Sequence, residues 1–257
     1  MITAGVDVGA KTVKIVVLRD REVVATAKDL SGFDQAKVAS ELLAQALEKA
    51  NVTQGDLAGI CSTGAGRKIV SEATHSVTEV SAGAKGSLFI NPDVRTVIDV
   101  GAEEGRAIRC TEKGKVEDFA VNEKCAAGSG AFTESMARAL EVDVAELGKL
   151  SLGSDASVPM NAQCAVFAES EVVSLLHAET PKQDISKAIH DAIASRITSM
   201  ARRIGLNKEV LVIGGVALNV GFIRSLNEAI EMDVIVADDP EFVNALGAAL
   251  IAAERAN

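Results

Sequence analysis

The sequence predicts an α/β protein with two lobes that arose by internal duplication. A three-stranded meander is expected over residues 2–27, and a second meander is expected over residues 95–121. Strands and helices alternate through the rest of the chain, which is typical of mixed sheets covered by helices. We therefore expect one lobe at residues 1–92 and another at residues 93–257, with a ligand cleft between them.

The spacing of apolar residues defines each element. Apolar side chains alternate in the expected strands, whereas Ala39, Leu43 and Leu47 recur at helical spacing in the first helix. The expected strands are Ile2–Val8, Thr12–Leu18, Glu22–Ala27, Leu57–Cys61, Arg95–Val100, Gly105–Cys110, Lys115–Val121, Glu209–Ile213 and Asp233–Val236. The expected helices are Asp34–Ala50, Gly130–Leu140, Cys164–His177 and Gln183–Ile204, one helix after Ile213, and a last one from Pro240.

Composition excludes several classes of protein. The 257 residues are 48% hydrophobic, which is enough for a sizeable core. A net charge of −10 and an aromatic content of 3%, without Trp or Tyr, argue against nucleic acid as a partner. No apolar run approaches the ~18 residues of a membrane span, and residues 1–10 lack a targeting pattern, so we expect a cytoplasmic protein.

Two matched motifs predict a nucleotide site. Asp7-Val8-Gly9-Ala10 ends the first strand of one meander, and Asp99-Val100-Gly101-Ala102 ends the first strand of the other. A single Asp-x-Gly is a common turn, but a pair at equivalent places suggests phosphate loops whose aspartates hold Mg²⁺. The residues predicted to bind nucleotide are Asp7, Gly9, Ala10, Lys11, Thr12 and Lys14 in the first lobe, and Asp99, Gly101 and Ala102 in the second.

A third segment is predicted to pack against the adenosine of the nucleotide. Residues 211–219 read as a buried strand that runs into Gly214 and Gly215 and then into a helix start at Asn219, so these three residues are predicted to contact the nucleotide. Near the end of the chain, residues 245–250 are small, and Gly247 among them would let two helices approach at the junction of the lobes. Ordinary helix packing explains this last segment equally well.

These segments together resemble a known family. Two phosphate loops and a glycine pair are similar to those of the actin/hexokinase/heat-shock chaperone ATPase superfamily. Residues 122–130 (NEKCAAGSG), 164–171 (CAVFAESE) and 62–67 (STGAGR) resemble the iron–sulfur branch, the activators of 2-hydroxyacyl-CoA dehydratases and the ATPase subunits of benzoyl-CoA reductase. The resemblance runs from end to end. It implies two actin-like (ribonuclease H-like) lobes with a cluster-bearing helical insertion at about residues 122–205.

The second phosphate loop departs from the activators. They usually carry GGQD here, whereas this chain has Gly101-Ala102-Glu103-Glu104, which looks more like the smaller ATPase subunit of benzoyl-CoA reductase. Glu103 stands where the family has a water-positioning glutamine. The resemblance therefore implies a catalytic role for Glu103 beside Asp7 and Asp99, and its alternative is a surface acid in a turn.

Two of the four cysteines lie in the family motifs. Cys125 and Cys164 are 39 residues apart without a Cys-x-x-Cys spacing, so the residues alone leave burial and metal binding both open. Each is expected at the start of a helix, where the helix dipole favours a thiolate. The resemblance implies that they bind one [4Fe-4S] cluster shared by two protomers, in a homodimer or in a heterodimer with a paralogous ATPase subunit. Cys61 and Cys110 have no matching role.

The resemblance implies an ATP-dependent one-electron activase that uses ATP/ADP, Mg²⁺ and the cluster. Ferredoxin or flavodoxin would reduce it, and a catalytic acyl-CoA reductase or dehydratase would receive the electron. A benzoyl-CoA reductase-type ATPase subunit is the first choice and a 2-hydroxyacyl-CoA dehydratase activator the second. A small-molecule kinase and a nucleotide-switched chaperone-like or filament protein are alternatives of another class, but neither explains both cysteines.

Overall fold

The computed structural model describes residues 1–122, 128–160 and 164–256, and these form ten strands and eight α-helices. The strands are β1 Ile2–Val8, β2 Thr12–Arg19, β3 Glu22–Leu30, β4 Leu57–Thr63, β5 His75–Ser76, β6 Thr96–Val100, β7 Gly105–Cys110, β8 Val116–Asn122, β9 Val210–Ile213 and β10 Ile235–Val236. The helices are α1 Gln35–Lys49, α2 Glu79–Ile90, α3 Gly130–Ala139, α4 Val144–Ser151, α5 Ala165–His177, α6 Lys182–Ile204, α7 Val220–Ile230 and α8 Val243–Arg255.

The two sheets repeat one topology. The first has the strand order β3-β2-β1-β4-β5, and the second, read in the matching direction, has β8-β7-β6-β9-β10. In each sheet the first strand pairs antiparallel with the next strand of the chain and parallel with a later one: β1 with β2 and β4, and β6 with β7 and β9. This repetition confirms the predicted duplication of the α/β fold.

The chain divides into two compact units. The first comprises Met1–Val94, Cys110–Val116 and Ala237–Asn257, and the second comprises Arg95–Arg109 and Glu117–Val236. These units differ from the predicted lobes at residues 1–92 and 93–257 mainly because α8 packs on β1 and β4 of the first unit. The lobe boundaries and the cleft remain predictions.

In the first unit, α1 covers one face of the sheet. Its buried residues include Ala39, Leu43 and Leu47, which follow the predicted helical spacing, and they join a core with Val6 and Ile15 of the sheet. The Asp34 side chain caps the helix by accepting a hydrogen bond from the Lys37 N–H at 3.1 Å. The expected helix over residues 34–50 is thus confirmed as α1, and the structure adds that Asp34 is its N-cap.

The other face of the first sheet meets α8, and α8 also packs on α2. A Cβ atom at Gly247 would collide with the carbonyl oxygen of Ala82, and one at Gly5 would collide with that of Ala245. These glycines therefore allow two close approaches, one between helices and one between a helix and the sheet. Close helix packing therefore explains why residue 247 is a glycine. The contact of Gly247 with nucleotide remains a prediction.

In the second unit, the described residues between β8 and β9 form four α-helices, whereas the corresponding stretch of the first unit, between β3 and β4, contains one α-helix, α1. The longest of them, α6, buries Ile189 and Ile193 against Phe132 and Met136 of α3 in the main core of this unit. Gly205, at a φ of 83°, ends α6. The helices α3 to α6 lie within residues 122–205, where the resemblance implies a cluster-bearing insertion, and that insertion remains a prediction.

Most of the expected elements are confirmed within two or three residues. Sequence patterns missed α2, α4 and β5, since α2 contains two glycines, α4 has only eight residues and β5 only two. None of the described helices combines the length and apolar character that a membrane span requires.

Candidate functional site

The first half-site, defined here as Asp7, Gly9, Lys14 and Gly64, surrounds the end of β1. Asp7 lies opposite Lys14 on β2 and opposite Thr63 on β4. The Lys14 Nζ atom is 3.2 Å from Oδ2 of Asp7, and both side chains are largely buried. The sheet therefore holds a carboxylate and an ammonium group together at the end of its central strand.

The loop after β1 is tightly constrained. The Gly9 N–H donates to the Thr12 carbonyl oxygen at 3.0 Å, and the Ser31 hydroxyl donates to the Gly9 carbonyl oxygen at 2.7 Å. Ala10 and Lys11 at its tip remain exposed. The loop thus has a fixed backbone and an accessible tip, as a phosphate-binding turn requires.

Gly64 approaches the Asp7 carboxylate closely. Its φ of 92° favours glycine, and a Cβ atom there would collide with the Val8 carbonyl oxygen and lie 2.7 Å from Oδ1 of Asp7. The Arg67 guanidinium donates to the Gly64 carbonyl oxygen at 3.1 Å. This segment is the one that resembles the family motif at residues 62–67, so the motif belongs to the first half-site.

The second half-site, defined as Asp99, Gly101, Arg106 and Gly214, repeats this geometry. Asp99 lies opposite Arg106 on β7, and Nη1 of Arg106 donates to Oδ2 of Asp99 at 3.1 Å. The Gly101 N–H donates to the Glu104 carbonyl oxygen at 2.9 Å. Gly214 has a φ of 88°, and a Cβ atom there would collide with the Val100 carbonyl oxygen and lie 2.7 Å from Oδ1 of Asp99.

Corresponding positions in the two half-sites perform the same structural task. A basic residue follows each aspartate by seven positions, and a glycine with positive φ abuts each carboxylate. Sequence reasoning paired the aspartates but missed Arg106 and Gly64. The sequence did contain a signal for Arg106, because Arg106 follows Asp99 by the same number of residues as Lys14 follows Asp7.

Two residues of the predicted adenosine segment differ in their surroundings: Gly215 borders open space, whereas the Asn219 side chain is engaged in capping α7. Gly215 is exposed, and a Cβ atom there would meet no atom within 4 Å. The Asn219 side chain caps α7, since its Oδ1 accepts from the Gly221 and Phe222 N–H groups at 3.0 and 3.2 Å. Gly214 lies against Asp99. The contacts of these residues with a nucleotide remain predictions.

Glu103, the predicted catalytic acid, is exposed at the tip of the second loop. Within residues 1–122, 128–160 and 164–256 it has no hydrogen bond or ion pair. Its neighbour Glu104 instead forms an ion pair with Nη2 of Arg106. The geometry neither assigns nor removes a role for Glu103 in positioning water, and that role remains a prediction.

The second loop also caps α3. The Gly130 N–H donates to the Gly101 carbonyl oxygen at 2.9 Å, and the Ala131 N–H donates to the Ala102 carbonyl oxygen at 2.8 Å. The Ser129 side chain makes no capping bond. Two of the N–H groups at the start of α3 that lack a partner within the helix are therefore satisfied by the loop backbone, so the helix start and the loop are joined.

The cysteines fall into two classes. Cys61 and Cys110 are buried, and burial raises the pKa of the Cys61 thiol to about 11, so neither resembles an exposed ligand. Cys164 is partly exposed at the N-cap position of α5. The other predicted cluster ligand, Cys125, lies outside the described residues. No group of three or more His, Cys, Asp or Glu side chains in the described part of the chain could hold a metal ion.

The helices that follow the two family cysteine motifs pack on each other. The Ser135 hydroxyl of α3 is hydrogen-bonded to the Glu169 carboxylate of α5, and Arg138 donates to the same hydroxyl at 3.3 Å. Cys164 directly precedes α5. The starts of the two helices therefore belong to one packed pair.

A sequence model of the BadF/BadG/BcrA/BcrD ATPase family matches residues 4–252. The chain belongs to this family. It is 37% identical over 256 residues to a 2-hydroxyisocaproyl-CoA dehydratase activator of Clostridioides difficile, an alignment covering 100% of this chain and 96% of that protein. It is 35% identical over 265 residues to a benzoyl-CoA reductase subunit of Thauera aromatica, covering 99% and 94%. The predicted family is thereby confirmed.

Solved structures show that the chain also resembles known proteins in its fold. The activator of the 2-hydroxyisocaproyl-CoA dehydratase from Clostridium difficile, solved with bound ADPNP, superposes with a TM-score of 0.93 at 38% identity, covering 100% of this chain and 96% of that one. A ROK family glucokinase from Streptomyces griseus superposes with a TM-score of 0.64 at 14% identity, covering 99% and 100%. This second likeness concerns the fold alone and confirms the predicted actin-like architecture.

Proposed function

We propose that this protein is an ATP-dependent activator that delivers single electrons to an acyl-CoA dehydratase or reductase. The observation that carries the proposal is the backbone connection between the second phosphate loop and α3, the helix that follows the Cys125 motif. The predicted nucleotide loop and the start of the helix that follows the Cys125 motif are thus parts of one hydrogen-bonded unit. Neither a kinase nor a simple nucleotide switch requires that connection.

ATP and Mg²⁺ fit the two half-sites chemically. Mg²⁺ prefers carboxylate, phosphate and water oxygens and keeps several waters, so one or two aspartates suffice for it. Asp7 and Asp99 are buried carboxylates, each fixed by a basic partner next to a glycine loop. The ADPNP bound to the similar activator supports nucleotide binding by this chain. Hydrolysis is the activity that the family membership supports.

A [4Fe-4S] cluster fits Cys164, the predicted cluster ligand that lies within the described residues. Cys164 is partly exposed and stands at a helix N-terminus, where the helix dipole favours an anionic ligand. Cys164 and Cys125 of two protomers would complete the four thiolates that such a cluster needs. When bound, the cluster would take up and pass on one electron. Homodimers and heterodimers with a paralogous subunit both meet this requirement.

Within this proposal the protein couples two events. Charge stabilisation by Asp7, Asp99 and their basic partners would promote cleavage of ATP. A shift of the Gly101–Ala102 backbone would then reach Gly130 and Ala131 at the start of α3 through their hydrogen bonds. The hydrolysis site would thereby influence α3 and the helix packed on it, α5, which follow the two cysteine motifs.

Two kinds of relative suggest two different catalytic partners, a 2-hydroxyacyl-CoA dehydratase and a benzoyl-CoA reductase. Overall identity does not favour the benzoyl-CoA reductase type, since the dehydratase activator is the more similar of the two described above. The Gly101-Ala102-Glu103-Glu104 loop favours the reductase type. A ferredoxin or flavodoxin in the cytoplasm would supply the electron in both cases.

The test is an anoxic reconstitution. The protein, reduced with ferredoxin or flavodoxin, is mixed with a 2-hydroxyacyl-CoA dehydratase or with the catalytic subunits of a benzoyl-CoA reductase, and ATP cleavage and partner reduction are measured together. We expect reduction of one partner that requires ATP hydrolysis and stops in Asp99→Asn. ATP cleavage without reduction of either partner would contradict the proposal.

A further inference from the structure

Arg106 is a buried cation to which the proposed function gives no phosphate contact of its own. Its guanidinium donates from Nη1 to Asp99 at 3.1 Å and forms an ion pair through Nη2 with Glu104. The side chain is only 9% exposed. A buried guanidinium between two carboxylates is expensive to maintain for stability alone, because desolvation offsets much of the Coulombic gain.

The duplication provides an independent indication of its role. Arg106 occupies the cross-strand position opposite Asp99 that Lys14 occupies opposite Asp7. The turns before them are also alike, with one hydrogen bond from Gly9 to Thr12 and its equivalent from Gly101 to Glu104. A residue predicted to bind phosphate in the first unit therefore has a direct structural counterpart in the second.

We propose that Arg106 contacts the phosphates of ATP and is the counterpart of Lys14 at the second half-site. This inference rests on the proposed binding of Mg·ATP. If the Asp99 carboxylate held Mg²⁺, Arg106 would share that negative charge with the metal while its guanidinium kept its own positive charge. Phosphate oxygens then provide the anion that its two-pronged donor geometry matches. Glu104 keeps the guanidinium oriented during this exchange.

Arginine and lysine make this site asymmetric. Lys14 offers a point charge and pairs with Asp7, whereas Arg106 presents a planar fork and joins Asp99 to Glu104 in the loop that caps α3. We therefore assign to Arg106 a bidentate contact that forms as negative charge develops on the transferred phosphoryl group. Its contribution appears in the hydrolysis rate more than in ADP affinity.

The experiment compares Arg106→Gln and Arg106→Lys with Arg109→Gln, a matched change on the same strand outside the half-site. It measures kcat for ATP hydrolysis and the affinities for Mg·ADP and for Mg·ADP with aluminium fluoride, which mimics the transferred phosphoryl group. We expect Arg106→Gln to lower kcat by about 100- to 1000-fold and to weaken the fluoride complex, with ADP affinity within about threefold. Arg106→Lys should recover part of both losses, and Arg109→Gln should match the wild type.

A purely structural role for Arg106 predicts something else. If it only positions Asp99, Arg106→Gln weakens Mg·ADP and its fluoride complex equally, and it costs nothing further in an Asp99→Asn background. Either result would overturn the inference. If Arg106→Gln does not fold, the Arg106→Lys variant provides the test. A wild-type kcat and a wild-type affinity for the fluoride complex in Arg106→Lys would also overturn the inferred bidentate contact. A wild-type protein that cleaves no ATP would instead contradict the proposed function.

Discussion

Asp7 and Lys14 are direct cross-strand partners, with 3.2 Å between the Lys14 Nζ atom and Oδ2 of Asp7, and Asp99 and Arg106 repeat the relationship at 3.1 Å. Each pair lies where a central strand ends and a glycine turn begins. The duplicated sequence has thus produced two carboxylates that are fixed in orientation and neutralised. Such preorganisation is what charge stabilisation of phosphoryl transfer requires.

Replacing Asp7 or Asp99 by Asn should lower the ATPase rate by about 100-fold or more, because a neutral amide cannot serve Mg²⁺ as a carboxylate does. Thermal unfolding will also shift downward, since each change removes a carboxylate that neutralises a buried cation, Lys14 in one case and Arg106 in the other. Asp118→Asn, at an exposed position of β8, is the control. Turnover close to wild type in both half-site variants would remove the assignment.

Glu103→Ala should slow hydrolysis at saturating ATP and leave ATP affinity nearly unchanged if Glu103 positions the attacking water. The exposed Glu112→Ala provides the comparison, because it removes the same charge from another turn. Steady-state kinetics together with equilibrium nucleotide binding separate the two effects. An unchanged kcat in Glu103→Ala would transfer the role to another group.

Gly214→Ala should destabilise the protein, and Gly215→Ala should not. With φ at 88° and ψ at 167°, Gly214 lies in a backbone region that is essentially restricted to glycine and costs other residues about 1–3 kcal/mol, and a methyl group there would also collide with the Val100 carbonyl oxygen. At Gly215 a methyl group meets open space. Chemical unfolding of the two variants measures the difference. Equal stability would show that the loop relaxes without cost.

Much of this arrangement follows from the sequence. Paired Asp-Val-Gly-Ala motifs located both aspartates, and the first meander and α1 agree with their apolar patterns. Sequence patterns could not show that α8 returns to the first sheet. That packing depends on the close approach of Gly5 to Ala245, a contact between residues far apart in the chain.

Arg106 illustrates a different limit. In the sequence it is one of two arginines in a short strand. Its separation of seven residues from Asp99 matches that of Lys14 from Asp7, but only the register opposite Asp99 shows what that separation means. Glu103 and Glu104 pose the same problem, because adjacent residues on a turn point in different directions. The resemblance favoured Glu103, whereas the structure gives the ion pair to Glu104.

Acid should destabilise the fold through His190. Burial lowers the pKa of this histidine from 6.5 to about 4, with the nearby charge of Asp191 opposing the shift. Between pH 6.5 and 4 the unfolded chain binds a proton that the folded chain does not, so stability falls as the pH falls. The loss attributable to this group is on the order of 3 kcal/mol.

Urea unfolding of the wild type and of His190→Gln across this pH range tests that expectation. The variant lacks the titrating group, so its stability should fall less steeply with acid even if it starts lower. Parallel slopes for the two proteins would mean that other groups cause the whole pH dependence.

The central claim is that ATP cleavage is linked to a cluster held by Cys125 and Cys164. The most direct measurement is the iron content and the reduced-state electron paramagnetic resonance signal of anoxically prepared homodimer, with and without Mg·ATP. The account predicts four irons per dimer, a cluster signal that nucleotide alters, and loss of the cluster in Cys125→Ser and Cys164→Ser but not in Cys61→Ser or Cys110→Ser. Ligand variants should still bind nucleotide. An intact four-iron signal in the Cys125→Ser and Cys164→Ser double variant would contradict the account.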